Sequence, residues 1–108
     1  MPAVETTGTQ SASTGIDYTL ATLTSARTYV LIVDTTNVAN GDVLELWILT
    51  KVLTGGSLLK AYHAVYSNAQ DAVVKVSIPV PSDYSCEFHL KWTGASGPKN
   101  FDWRVDSV

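Results

Sequence analysis

The chain has 108 residues, enough for one domain around one core and too few for two. Its seven basic residues stand singly against ten acidic ones, so it has no positive footprint to displace phosphate counterions, which argues against nucleic acid as a partner. The single cysteine, Cys86, excludes an intramolecular disulfide and a cysteine-rich metal site.

Charged residues make up 16% of the chain, against roughly 25% in an average domain. The surface is correspondingly more neutral, and a partner is expected to cover part of it. The opening residues are polar and lack the apolar stretch of a secretory signal. No apolar run approaches the roughly 20 residues that span a bilayer. These features predict a protein made in the cytoplasm, with no membrane partner.

Residues 1–15 read as a polar N-terminal arm. Its stretch from Glu5 to Gly15 is rich in Thr, Ser and Gly and cannot by itself offset its ordering entropy. It is either a frayed end or a segment that orders on a neighbour, with Val4, Thr6, Thr7 and Thr9 as its contact residues. From residue 16 to 108 the chain reads as one β domain. Tyr18 and Leu20 alternate with Thr19 and Ala21. Thr28 to Asp34 is a nearly continuous β-branched and aromatic run, which predicts cover on both faces. Asn40-Gly41-Asp42 is a turn signal.

Val43 to Val52 is the longest predicted strand, with Leu44, Leu46 and Ile48 on one face and Trp47 and Leu49 on the other. Gly55-Gly56 closes it as a hairpin, and Leu58 to Tyr66 returns. Val73 to Ile78 is a strand ended by Pro79 and Pro81, which cannot donate to a ladder. Ser85 to Thr93 alternates cleanly, with Cys86, Phe88, Leu90 and Trp92 inward and Glu87, His89 and Lys91 outward. Phe101, Trp103 and Val105 alternate with Asp102, Arg104 and Asp106 in the last strand. The whole predicts an all-β antiparallel β-sandwich or jelly roll of about seven to eight strands with an extended N-terminal arm.

No catalytic or cofactor-binding pattern emerges. His63 and His89 sit in different strands without a local metal-ligand spacing, and each reads as a structural histidine, His89 exposed on the face it shares with Glu87 and Lys91 and His63 partly buried. Cys86 falls on an apolar face beside Phe88, where a thiol is inert. Nucleophile elbows, Walker loops and zincin motifs are absent. No enzyme activity, cofactor or metal is therefore expected. The strand around Trp47 is apolar on both faces and needs two covers. Trp47, Leu49, Tyr62 and Tyr66 are the predicted partner anchors, since buried aromatics dominate interface energetics. A sugar-binding platform is the rival use of the same aromatics.

The residue order from Thr28 to Leu46 (TYVLIVD, then NGD and LEL) is followed by KVL-GGS over 51–57. A spaced pattern of Ala, Tyr and Gln follows over 61–70. SIPVP spans 77–81, and the chain closes on LKWTGASG and FDW. Together with the opening VETTGTQS, these resemble small tailed-bacteriophage virion proteins encoded near the major capsid protein. The resemblance covers nearly the whole chain. It implies a capsid decoration or cement protein of jelly-roll fold, non-enzymatic, sited on the capsid surface of the virion. Its partners would be the major capsid protein and further copies of itself, as a dimer or trimer. The alternative is a receptor- or glycan-binding β-sandwich module of a phage fibre or spike.

Overall fold

Long β-branched and aromatic runs broken by Gly, Pro and Asn leave the backbone one economical solution, a set of antiparallel ladders. The structure is a computed structural model that describes residues 3–95 and 97–108. Among these are nine strands: β1 (Ala3–Ala12), β2 (Ile16–Leu23), β3 (Arg27–Asp34), β4 (Val43–Thr50), β5 (Leu59–Ser67), β6 (Val74–Val76), β7 (Val80–Ser82), β8 (Cys86–Thr93) and β9 (Lys99–Ser107). The described residues contain no helix.

The strands form two antiparallel sheets. Sheet A has the order β1-β9-β3-β6, with β7 also pairing β3; sheet B has the order β2-β8-β4-β5. The first half of the chain pairs with the second in reverse. β1 lies on β9, β2 on β8, β3 on β6 and β7, and β4 on β5. Two further ladders, β3 with β9 and β4 with β8, close each sheet.

The strand count exceeds the expected seven or eight for two reasons. The prolines expected to end the strand after Ile78 do not end the pairing: β7, which contains Pro81, resumes on β3 beyond Pro79, leaving β6 and β7 as short pieces on the same neighbour. The polar arm expected over residues 1–15 is, from Ala3 to Ala12, strand β1, registered along β9 from Ala3↔Ser107 to Ala12↔Lys99. A backbone ladder needs no apolar side chains, so composition alone misjudged this segment. Local bonds reinforce it: Thr7 Oγ1 donates to the Trp103 carbonyl at 3.0 Å and Thr9 Oγ1 to Asp102 Oδ1 at 2.6 Å. Gly8 lies opposite Trp103, and a Cβ there would sit 3.0 Å from the indole. Met1 and Pro2 lie outside the described residues.

The core lies between the sheets. Sheet A contributes Tyr29, Leu31, Val33, Phe101 and Val105; sheet B contributes Leu44, Leu46, Ile48, Phe88, Leu90 and Trp92, all essentially inaccessible. Tyr29 and Phe88 meet across it edge to face at 5.9 Å. The shortest dimension of the molecule is 18 Å. Two sheets about 10 Å apart with their side chains fill that thickness, so no third layer covers either outer face.

The loops between β1–β2, β3–β4 and β8–β9 meet at one end. Gly41 takes the positive φ that the Asn40-Gly41-Asp42 turn requires. Asp42 is buried there, accepting from Lys99 Nζ at 2.7 Å and from the Ala39 N–H at 2.9 Å. Burial would raise this carboxyl; the bonds from Lys99 and Ala39 outweigh it and hold the group below its ordinary range. Lys99 Nζ also lies 5.7 Å from the Trp92 ring centroid.

Candidate partner interface

The outer face of sheet B centres on Trp47. The register sets His89 of β8 on one side of it and His63 of β5 on the other. The His89 ring stacks on the indole at 5.8 Å and 7°, and His63 meets it edge-on at 5.7 Å and 90°. Lys60 Nζ sits 5.0 Å from the same indole. Trp47 is consequently only 9% exposed. The second cover that this strand was expected to take from elsewhere comes largely from side chains of its own sheet.

Carboxylates rim the row. His89 Nδ1 lies 3.0 Å from Asp17 Oδ1, and its Nε2 lies 3.0 Å from Glu87 Oε1. Carboxylates only accept, and a neutral imidazole donates through one nitrogen, so both contacts are hydrogen bonds only when the ring carries two protons. His63 Nε2 is 3.3 Å from Glu45 Oε1. The histidine assignments thus reverse those read from sequence. His89 is 7% exposed, whereas the His63 side chain keeps 40% of its exposure, and both lie on one face. The cause is strand order: β8 is interior to its sheet and β5 is an edge.

The predicted anchors do not converge. Leu49, half-buried, lies opposite Glu87 and Lys60 on the Trp47 face. Tyr62 pairs with Ile48 and Tyr66 with Leu44, so both tyrosines point inward and pack on the core. A β-bulge between Ile48 and Leu49 explains the split: Lys60 and Tyr62 share sequence parity but land on opposite faces. Burial, then the hydrogen bond with Tyr66, pushes the Tyr62 phenol up to about 12. Val4, Thr7 and Thr9 stand exposed opposite Asp106, Arg104 and Asp102 on the outer face of sheet A, while Thr6, after a bulge at Glu5, is half-buried.

One surface escaped the sequence reading. On the outer face of sheet A, Val76 pairs with Ile32 and Val74 with Asp34. Val74, Val76 and Ile78 are 56%, 58% and 55% exposed. They form an aliphatic strip along β6 and the residues after it, bordered by Ile32 and Asp34 of β3, with Arg104 and Asp102 of β9 beyond them. A hollow in this face is lined by Thr7, Ile32, Asp34, Val74 and Arg104. The available signal was the alternation Val74–Val76–Ile78 in a strand next to two prolines, which marks an edge open to solvent.

Cys86 is fully buried, and burial pushes its thiol up to about 11. Among the described residues no group of three His, Cys, Asp or Glu side chains is placed to hold a metal ion. Among the described residues no helix is long and apolar enough to cross a membrane. Compared with known proteins, the chain matches no family model, no curated protein and no solved structure.

Proposed function

We propose that this chain is a jelly roll and serves as a non-enzymatic decoration protein, cementing the outer surface of a bacteriophage head shell. The observation that carries the reading is the pairing order. With β6 and β7 taken as one strand interrupted at Pro79, the chain is a single long antiparallel ribbon. Rolling that ribbon brings β3 against β9 and β4 against β8, which is the wrapping of a jelly roll. This is the fold that the resemblance to small virion proteins leads one to expect, and the pairing order supports it independently of those residue strings.

A cement protein needs rigidity and a contact surface more than chemistry. The packed core and the bonded loop end supply the first. The aliphatic strip on sheet A, with Asp34 at its border and the charges of β9 beyond, suits the second, because an apolar centre with a polar rim is the usual anatomy of a stable contact. The partners on this reading are the major capsid protein and neighbouring copies of the same chain. A glycan-binding module has less support. A sugar platform needs an open indole face, and Trp47 is stacked against His89.

Quantitative mass spectrometry of purified virions tests the reading. Near-stoichiometric copies relative to the capsid protein, with density on the outside of the head in a reconstruction, are expected. A handful of copies at the tail, or none, would overturn it.

A further inference from the structure

Natural sheets protect their edges with bulges, charges, prolines or shortness. The edges of sheet B use these devices. β2 carries a bulge between Thr19 and Ala21 and a carboxylate at Asp17. β5 is bulged at its start, with Lys60 beside the bulge and His63 further along. On sheet A, β6 and β7 are short and separated by Pro79. β1 differs. Its one bulge falls between Val4 and Thr6, and from Thr6 to Ala12 it runs in unbroken register with β9. That run, Thr-Thr-Gly-Thr-Gln-Ser-Ala, holds no charge and no proline. Among the described residues it is the longest unbroken edge segment and the only one of its length without a titratable side chain.

We propose that β1 pairs antiparallel with β1 of a second copy of this chain. A two-fold axis at Thr9 sets Thr9 opposite Thr9, Thr7 opposite Ser11, Gly8 opposite Gln10 and Thr6 opposite Ala12. Each pair keeps its face, so the exposed side chains of Thr7, Thr9 and Ser11 meet as cross-strand neighbours on the outer side. Glu5 falls opposite Ser13, and no like charges oppose one another. The contact is isologous and closes at two chains, fusing two copies of sheet A into one continuous sheet. Backbone bonds dominate and little apolar area is covered, so the dimer is concentration-dependent. The pairing rests on the edge itself and needs no shell.

Sedimentation of the isolated full-length chain tests it, with circular dichroism as the check on folding. The wild type is expected to move from monomer to dimer as concentration rises. Thr9→Lys sets like charges against each other on the axis and should weaken the dimer at least about tenfold. Thr9→Glu should do the same. An equimolar mixture of the two variants should restore a dimer containing one chain of each kind. A wild type that stays monomeric at every concentration, a folded Thr9→Lys that still dimerises, or a mixture that fails to pair would each overturn the proposal. Exchange protection of the β1 amides that arises only when capsid shells are added would overturn it in favour of a strand from the shell protein.

Discussion

At the residue scale, burial decides chemistry more firmly than residue type. Cys86 and Tyr62 illustrate the sign. Both are neutral in the fold, with their protons held past the ordinary values of 9.0 and 10.0 to about 11 and about 12. Between those limits the unfolded chain ionises while the native chain does not. Their contribution is therefore whole below pH 9.0 and is lost as pH rises through about 12. Urea unfolding across that window should show falling stability, on the order of 2 kcal/mol from the thiol alone. Cys86→Val should flatten the thiol's part of the slope; an unchanged slope would assign the loss elsewhere. Cys86 was legible from sequence because one strand's alternation places it. The two histidines were not, because their burial depends on which strand is interior, and that is a property of pairing. Gly94 is a second case of dependence on distant residues. A Cβ there would overlap the Trp92 indole and the Asp42 carboxylate. Gly94→Ala should cost about 1–3 kcal/mol in thermal or urea melts.

At the scale of the element, two strands were readable to within a residue or two: Ser85 to Thr93, from its clean alternation, against β8, and Thr28 to Asp34, from its continuous apolar run, against β3. β1 was not readable, since its order comes from a ladder with a strand about ninety residues away in sequence, in which Thr9 pairs with Asp102. Nor was the bulge in the β4–β5 ladder, which turned Tyr62 and Tyr66 from expected surface anchors into half-buried side chains packed against the core. This origin of β1's order has a measurable consequence. An edge strand with few buried side chains opens at lower free energy than the central strands. Native-state hydrogen exchange of dilute protein should find β1 amides less protected than those of β3 and β8. Equal protection would mean that β1 is fixed by more than its ladder with β9. Asp42 and Lys99 join the β3–β4 loop to the start of β9 in the same long-range way. Lys99→Met leaves a buried carboxylate unpaired and should destabilise the fold by about 3 kcal/mol, with Asp42→Asn added in the same chain recovering part of the loss. Additive losses in that double variant would show the pair to be energetically unlinked.

At the scale of the whole molecule, the sandwich presents two broad faces of unlike chemistry. The face of sheet B is a row of Thr19, His89, Trp47 and His63 rimmed by carboxylates, with most of its aromatic surface already covered from within. The face of sheet A grades from the hydroxyls of β1 through the charges of β9 to the aliphatic strip of β6. If the chain cements a shell, the surface that gains most from cover is the aliphatic strip of sheet A, where Val74, Val76 and Ile78 are each more than half exposed and adjacent. A matched pair of variants separates the faces. Val76 on sheet A is 58% exposed and Val65, opposite Glu45 on sheet B, is 53% exposed. Either residue changed to Asp should cost up to about 1 kcal/mol, from lost β-propensity and, for Val65, a like charge opposite Glu45, and neither should unfold the domain, because neither is in the core. Val76→Asp should lower occupancy on capsids lacking the native protein, measured by sedimentation with heads, while Val65→Asp should bind as the wild type does. The reverse pattern would move the shell contact to the Trp47 face, and loss of binding in neither variant would mean that the strip is not the contact at all.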